Sequence, residues 1–518
     1  MIKTGLKSCL FISLLMYSFT FELVAQKRVY PEDAAEHFKF HNYIDALKAY
    51  QMLLKEDPDN ELYNFRAGYC VLQIHGDKKP AIQYFEKATW AEKADPDAWY
   101  FLALAYHYNY EFDKAEDTYM KYKAIGKGKY QKEVDKQLQY LSFARKLYND
   151  PVDVEFENAG DKINSEYADY NPYITPNESY MVFTSRRKGK GTRETDGYYP
   201  SDVYETHVEN GEWQTAKMMS SLINSIYDEQ IVGLSYDGKT IFIYVDRLKE
   251  VGDIYIAQEK NGKFSRIKPM GEPVNTSSFE GAATISADGN TLFFSSDRKG
   301  GLGGRDIWMS RKLPNGEWGL PQNLGPNINT PDDEDYPNLF YDGQTLYFAS
   351  NGRNSIGGMD LFKSTWDPET NTWTPAENLG YPINTPEDNY VISFTEDQRH
   401  AYVAMWRPDS KGDWDIYRLT FKDKDERQSV VKSKIFTEGS DQPVTDAFIR
   451  AVNTRTMQEV GTYIPNPRNG SFIMILKPGH YEIIIEVPGY TEKTFPLTIK
   501  GKSDFEEMIE QTFKISKQ

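Results

Sequence analysis

Between residues 151 and 417 the chain repeats one pattern five times: an Ile/Val-Asn-Ser/Thr triplet, then, thirteen residues after its Asn, a turn residue. The triplets are Ile163-Asn164-Ser165, Ile223-Asn224-Ser225, Val274-Asn275-Thr276, Ile328-Asn329-Thr330 and Ile383-Asn384-Thr385. Their turn residues are Asn177, Asp237, Asp288, Asp342 and Asp397, with Gly next in the middle three. The intervals from a turn to the next triplet Asn wander through 47, 38, 41 and 42 residues. Each unit therefore has a rigid first half and a tolerant second half. A period near fifty residues signals a solenoid, a propeller or an array, and the content of the unit decides which.

After each turn comes an apolar run of strand type: Met181-Val182-Phe183, Ile241-Phe242-Ile243, Leu292-Phe293-Phe294, Leu346-Tyr347-Phe348 and Ala401-Tyr402-Val403. A further strand follows Asp202, Asp253, Asp306, Asp360 and Asp415, and a fourth carries Trp213, Phe264, Trp318 or Trp373. Four short antiparallel strands per unit, joined by tight turns, predict propeller blades. The fifth unit lacks its fourth strand, but Asn158-Ala159-Gly160 precedes Asn164 as Asn323-Leu324-Gly325 precedes Asn329. The prediction is a five-bladed propeller over 151–422, its last blade closed by the strand near 153–158 so that no sheet edge stays open. A divergent sixth blade is the alternative. The motif running from Asp288 to Ile307 resembles the WD-repeat-like units of TolB-type propellers, which implies a fold but no single activity.

Upstream, residues 27–149 show apolar positions at helical spacing. Ala46 with Tyr50, Ala81 with Tyr84 or Phe85, and Ala115 with Tyr119 recur about 34 residues apart, and Asp57-Pro58-Asp59 and Asp95-Pro96-Asp97 mark helix starts. The segment resembles a tetratricopeptide array of three helix pairs and a capping helix near 129–147. Trp90, Trp99, Tyr100, Tyr106 and Tyr108 are either core aromatics or a concave peptide-binding face. Residues 1–25 combine Lys3 and Lys7, an apolar run from Leu10 to Phe21 and Leu23-Val24-Ala25, which predicts a secretory signal. Cys70 is then the sole mature cysteine, so no internal disulfide is expected, and no other stretch is long and apolar enough to span a membrane.

Beyond the propeller, Pro443, Ala447, Gly470-Ser471-Phe472, Pro478-Gly479 and Gly489-Tyr490 resemble the carboxypeptidase regulatory-like family, a small transthyretin-like β-sandwich without catalytic role. It is placed at 428–500, with 501–518 as a C-terminal tail. This order of modules resembles a cell-envelope family of the Bacteroidota, whose members often end in an outer-membrane-protein-A-like peptidoglycan-binding domain that is expected to be lacking here. The resemblance implies a periplasmic protein at the inner face of the outer membrane, holding envelope proteins in type IX secretion, gliding or another outer-membrane complex.

One register of the repeat carries charge. Eight residues before the turns stand Asp169, Glu229, Glu280, Glu334 and Asn389, and ten or eleven after them Arg187, Arg247, Arg298, Arg353 and Arg407. These predict either a network of bidentate Arg–carboxylate pairs between blades or a site at the channel mouth for a cation or a charged peptide. The interval from Asn177 to Asp202 is 25 residues where the others need 16 or 18, so Tyr198 and Tyr199 sit on an inserted contact loop or a plain surface loop. A formal charge of −17 argues against nucleic acid or anionic lipid as partners. The sequence shows no Gly-x-Ser-x-Gly, His-Glu-x-x-His, phosphate loop or cysteine cluster. A non-catalytic scaffold with no catalytic residue, cofactor or metal is the reading, and the alternative is a glycan-binding propeller or a five-bladed glycosidase, whose carboxylates would need unlike environments. The recurring acids are expected to be equivalent and ionised beside their arginines.

Overall fold

A computed structural model describes residues 29–90, 92, 94–246, 252–422, 428–454, 457–500 and 506–516. The segment 1–25, expected to be a secretory signal, and Arg247 lie outside the described residues. Seven helices open the described chain: α1 (Pro31–Lys39), α2 (Tyr43–Glu56), α3 (Glu61–Gln73), α4 (Lys79–Ala88), α5 (Pro96–Tyr108), α6 (Phe112–Ile125) and α7 (Val134–Asn149). Local chemistry sets their starts. Asn60 Oδ1 accepts from the Tyr63 amide to cap α3, and Asp95 caps α5, whose first residue is Pro96.

Consecutive helices pack on one another. Ala46, Ala81 and Ala115 are fully buried, as are their ring partners Tyr50, Phe85 and Tyr119. The small residues let paired helices approach, and the rings fill the space so released. Tyr100 and Tyr106 join this core, whereas Trp90 is 69% exposed. Cys70 is buried in the same array, and burial pushes its thiol up to about 12, which makes it inert.

Five sheets follow in chain order, each led by an inner strand: Asp169–Ile174, Asp228–Leu234, Glu280–Ile285, Glu334–Leu339 and Ile392–Phe394. In the first four blades the next strands add outward in sequence. In the fifth the outer strand is Val154–Asn158, antiparallel to Asp415–Phe421 with Val154 opposite Phe421 and Asn158 opposite Tyr417. The outer strands are shorter than the repeat suggests. In the first blade Glu212–Trp213 and Lys217–Met218 each pair with Asp202–Glu209, and Trp318 makes only an isolated bridge to Lys312.

The inner strands of neighbouring blades meet near the axis. Asn171 Nδ2 donates to Ile231 O at 3.3 Å, Asn338 Nδ2 to Ile392 O at 2.9 Å, and the Ile174 amide to Ser393 Oγ at 3.1 Å, each bond joining neighbouring blades. Between the second and third blades the approach is close enough that a Cβ on Gly233 would lie 1.9 Å from Ala283 O.

Two sheets facing one apolar core form the C-terminal domain. One holds Ser471–Leu476, Ser429–Thr437 and Met508–Ile515; the other holds Glu459–Tyr463, Phe448–Asn453, Gly479–Glu486 and Lys493–Ile499. The boundary at residue 500 is corrected. Met508–Ile515 runs parallel to Ser429–Thr437 and buries Phe513 and Ile515, so 8 residues of the expected tail form a core strand.

Gly233→Ala should therefore lower stability by more than about 2 kcal/mol, read as a drop in urea midpoint at unchanged slope. Gly76→Ala, where nothing lies within 4 Å of the added Cβ, should leave the midpoint nearly unchanged.

Candidate functional site

The charged register lies where the triplet of one blade meets the third strand of the blade before. Each triplet Asn grips one residue of that strand through both its amide atoms. Asn164 Nδ2 donates to Ile416 O at 2.9 Å and Asn164 Oδ1 accepts from the Ile416 amide at 2.8 Å. The same two bonds join Asn224 to Val203, Asn275 to Ile254, Asn329 to Ile307 and Asn384 to Leu361. A side-chain amide offers the donor and acceptor of a peptide group, so each Asn extends the strand ladder by one rung.

The residue five positions after each triplet Asn adds a third link. The backbone amides of Asp169, Glu229, Glu280, Glu334 and Asn389 donate to Trp414, Ser201, Gly252, Arg305 and Met359 of the preceding blade, at 2.6 to 3.1 Å. Their side chains turn back into their own blade. Thr330 N and Oγ1 donate to Glu334 at 2.8 and 2.7 Å, and Ser165, Ser225 and Thr276 serve Asp169, Glu229 and Glu280 in the same way.

Among the described residues, Arg187, Arg298, Arg353 and Arg407 do not form the expected network between blades. Arg187 reaches Asp169, and Arg298 reaches Glu280 at 2.9 Å, each inside one blade and through one carboxylate oxygen. The pairing register explains this. Asp169 stands opposite Ser185 and Glu280 opposite Ser296, so an Arg two residues beyond the Ser returns over the same strand pair. Further N–H groups go to triplet carbonyls, Ile163 O from Arg187 and Val274 O from Arg298, and each Nε donates to the hydroxyl of Ser185 or Ser296. Arg353 takes Pro326 O and Asn329 O and no carboxylate, leaving its Nε buried without a partner among the described residues. Arg407 lies over Phe156, 4.1 Å from the ring centroid.

The acids therefore have different arginine partners from blade to blade rather than the equivalent surroundings expected. Burial pushes Glu229 and Glu334 up to about 7 against the donors from Ser225 and Thr330, and pushes Asp202 up to about 6. These carboxyls are sealed in, with Glu229 1% and Glu334 0% exposed.

The helical array covers this face of the ring. Lys78 pairs with Glu387 at 3.1 Å, His75 stacks on Trp414 with centroids 4.0 Å apart, and Lys136 pairs with Asp332. Tyr110 and Tyr148 pack on Tyr381 with centroids 5.4 and 4.8 Å away. Burial drives the His75 imidazole down to about 3, so it stays neutral in this seam. The inserted loop belongs to the same contact. Tyr198 and Tyr199 are half-buried, Gly197 abuts Asn42, and Arg193 pairs with Asp45 at 3.3 Å.

Sequence reasoning missed the Asn clasp, although the recurrence of Asn in all five triplets was its signal. It also missed the seam, for which Lys78 and Glu387, 309 residues apart, give no local sign. Among the described residues no group of three or more His, Cys, Asp or Glu is placed to hold a metal ion, and no helix is long and apolar enough to cross a membrane.

No family model matches the chain, and no curated protein does. Among solved structures, TolB from Acinetobacter baumannii aligns with 50% of this chain and 56% of its own at 17% identity and a TM-score of 0.32. The chain thus spans little more than half of that protein. An alpha-L-arabinanase from Penicillium chrysogenum aligns with 50% of this chain and 98% of its own at 11% identity and a TM-score of 0.32. A Trypanosoma rangeli sialidase aligns with 64% of this chain and 85% of its own at 8% identity and a TM-score of 0.31. The five blades rest on the strand pairing described above, and no activity follows from likenesses of this level.

Because Glu334 has a raised folded-state pKa, the native state binds the extra proton between about pH 4.5 and 7. Stability should fall as pH rises through that window and level off above it. Glu334→Gln should flatten its share of the slope, on the order of 1–3 kcal/mol, in urea titrations across pH. Asn164→Ala, which orphans the buried Ile416 amide while the Ile416 carbonyl keeps the Ala159 amide, should cost about 1–3 kcal/mol, whereas an exposed turn change such as Asn315→Ala should cost little.

Proposed function

We propose that this protein is a non-catalytic interaction scaffold of the bacterial envelope, exported to the periplasm and working at the inner face of the outer membrane. Its place there is in type IX secretion, gliding or another outer-membrane complex, and its helical segment and C-terminal sandwich serve as tetratricopeptide and carboxypeptidase regulatory-like modules. One observation supports this reading above the rest: the recurring acids are committed to Ser, Thr and Arg partners that hold the blades, and the chain's own helices lie over that face. What the chain offers outward is surface. The helical array carries an open groove of about 810 Å³ lined by Phe38, Leu62, Phe65 and Arg66, where Leu62 is 51% exposed.

The competing reading is a propeller that binds or hydrolyses glycans. A hydrolase needs two carboxyls roughly 5–10 Å apart across an open cleft. Glu229 and Glu334 have the raised pKa values such chemistry uses, but they sit on separate blades and face Ser225, Thr330 and Ser350 rather than a cleft.

Recovery of the tagged protein from envelope extracts should return a stoichiometric outer-membrane complex, and Leu62→Glu should lose it while keeping the parent's melting curve. Recovery of the chain alone, together with release of sugar from envelope glycans by the purified protein, would overturn the scaffold reading.

A further inference from the structure

The fifth blade breaks the pattern of the first and third in one respect. Where those blades set Asp169 against Arg187 and Glu280 against Arg298, the fifth sets Asn389, eighteen residues before Arg407. Asn389 Oδ1 still takes the two Thr385 donors, at 2.8 and 3.3 Å, and so keeps the turn. The negative charge is gone. Among the described residues no carboxylate lies within ion-pair distance of Arg407, whose guanidinium rests on the rings of Phe156 and Tyr417.

That arginine lines a cavity of about 280 Å³ between the helical array and the fifth blade. Tyr108 and Tyr110 come from the array, and Tyr381, Trp406 and Trp414 from the propeller, so the walls are aromatic. Asp77 and Pro408 on the rim are exposed, which opens the cavity to solvent. The other charges on its wall are already answered. Glu387 holds Lys78 at 3.1 Å, Asp77 Oδ1 accepts from the Lys79 amide at 2.9 Å, and Asp388 accepts from the Met359 amide and the Tyr390 hydroxyl, both at 2.8 Å. Arg407 is thus a half-buried cation over aromatic rings, and Asn389 in the same cavity lining fills a register that holds a carboxylate in all four sister blades.

We infer that this cavity binds the carboxylate of an aromatic or apolar ligand, with Arg407 supplying the charge that Asp169 and Glu280 meet internally in their own blades. A carboxylate offers two acceptor oxygens to a guanidinium fork, and the volume suits a group the size of one aromatic residue, at the lower end of small-ligand pockets. The same chemistry is carried by a free acylated amino acid and by the C-terminus of a peptide. The site does not depend on the scaffold reading, because it is tested on the purified chain alone.

Calorimetric titration with N-acetylphenylalanine and with N-acetyl-Ala-Ala-Phe, each beside its C-terminal amide, separates these sources. Both acids should bind at least about tenfold more tightly than their amides, one lost charged contact being worth about 1.4 kcal/mol or more. Tighter binding of the longer acid marks a peptide C-terminus as the ligand, and equal binding marks a small molecule. Asn389→Asp, which restores the internal partner of Arg407, should weaken both acids to the level of the amides while the melting temperature holds or rises. Arg407→Met should do the same to binding. Equal binding of acid and amide, an Asn389→Asp protein that binds like the parent, or no heat from either acid at millimolar concentration would each overturn the assignment.

Discussion

Everything in the propeller hangs on a side-chain amide standing in for a peptide group. A triplet Asn offers one donor and one acceptor to a single residue of the preceding blade, and does so at all five junctions. Without it, the second residue of each third strand would leave a buried amide without a partner, a cost of about 1–3 kcal/mol, while its carbonyl would keep the backbone amide of Ala159, Met219, Met270, Leu324 or Leu379. The next residue fixes the acid through Ser or Thr, and the acid's own backbone amide returns to the preceding blade. The thirteen-residue spacing is invariant because this clasp and the turn that ends the inner strand are parts of one rigid unit. Ring closure uses the same device, since Asn164 grips Ile416 across 252 residues of chain.

Desolvation decides what the recurring charges do. A buried carboxylate is tolerated only when donors replace the water it gave up. Asp169 and Glu280 have Ser or Thr donors and an Arg; Glu334 has Thr330 and Ser350 but faces an arginine turned to carbonyls. Burial drives the rise of Glu334 toward neutrality, and its Ser and Thr donors offset only part of it. A repeat in sequence is therefore not a repeat in electrostatics, because each blade answers the same buried position with different neighbours.

The helices give the ring a polarity. The seam combines the buried Lys78–Glu387 pair, the His75–Trp414 stack and the tyrosines around Tyr381, so the face with the acids and arginines is an internal surface of the chain. This contact also gives the inserted loop of the first blade its use, since Arg193 and Gly197 meet Asp45 and Asn42 near the start of α2.

Patterns that act over short range were legible in the sequence. Helical spacing around Ala46, Ala81 and Ala115, the alternation after each turn and the Asn-x-Gly echo at Asn158 report backbone periodicity and turn chemistry, which neighbouring residues determine. From these followed the helix pairs, the blades and the strand that closes the ring. The partner of Arg298 and the orphaning of Arg407 were not legible, because they depend on strand register and on one Asn in place of an acid. Nor was the strand Met508–Ile515, whose pairing is with a segment more than seventy residues away. By itself the sequence determined the repeating unit and its order, since the unit's own hydrogen bonds specify it. Only the tertiary structure decided which charges are satisfied and which face is covered, because desolvation depends on what the folded chain brings alongside each group.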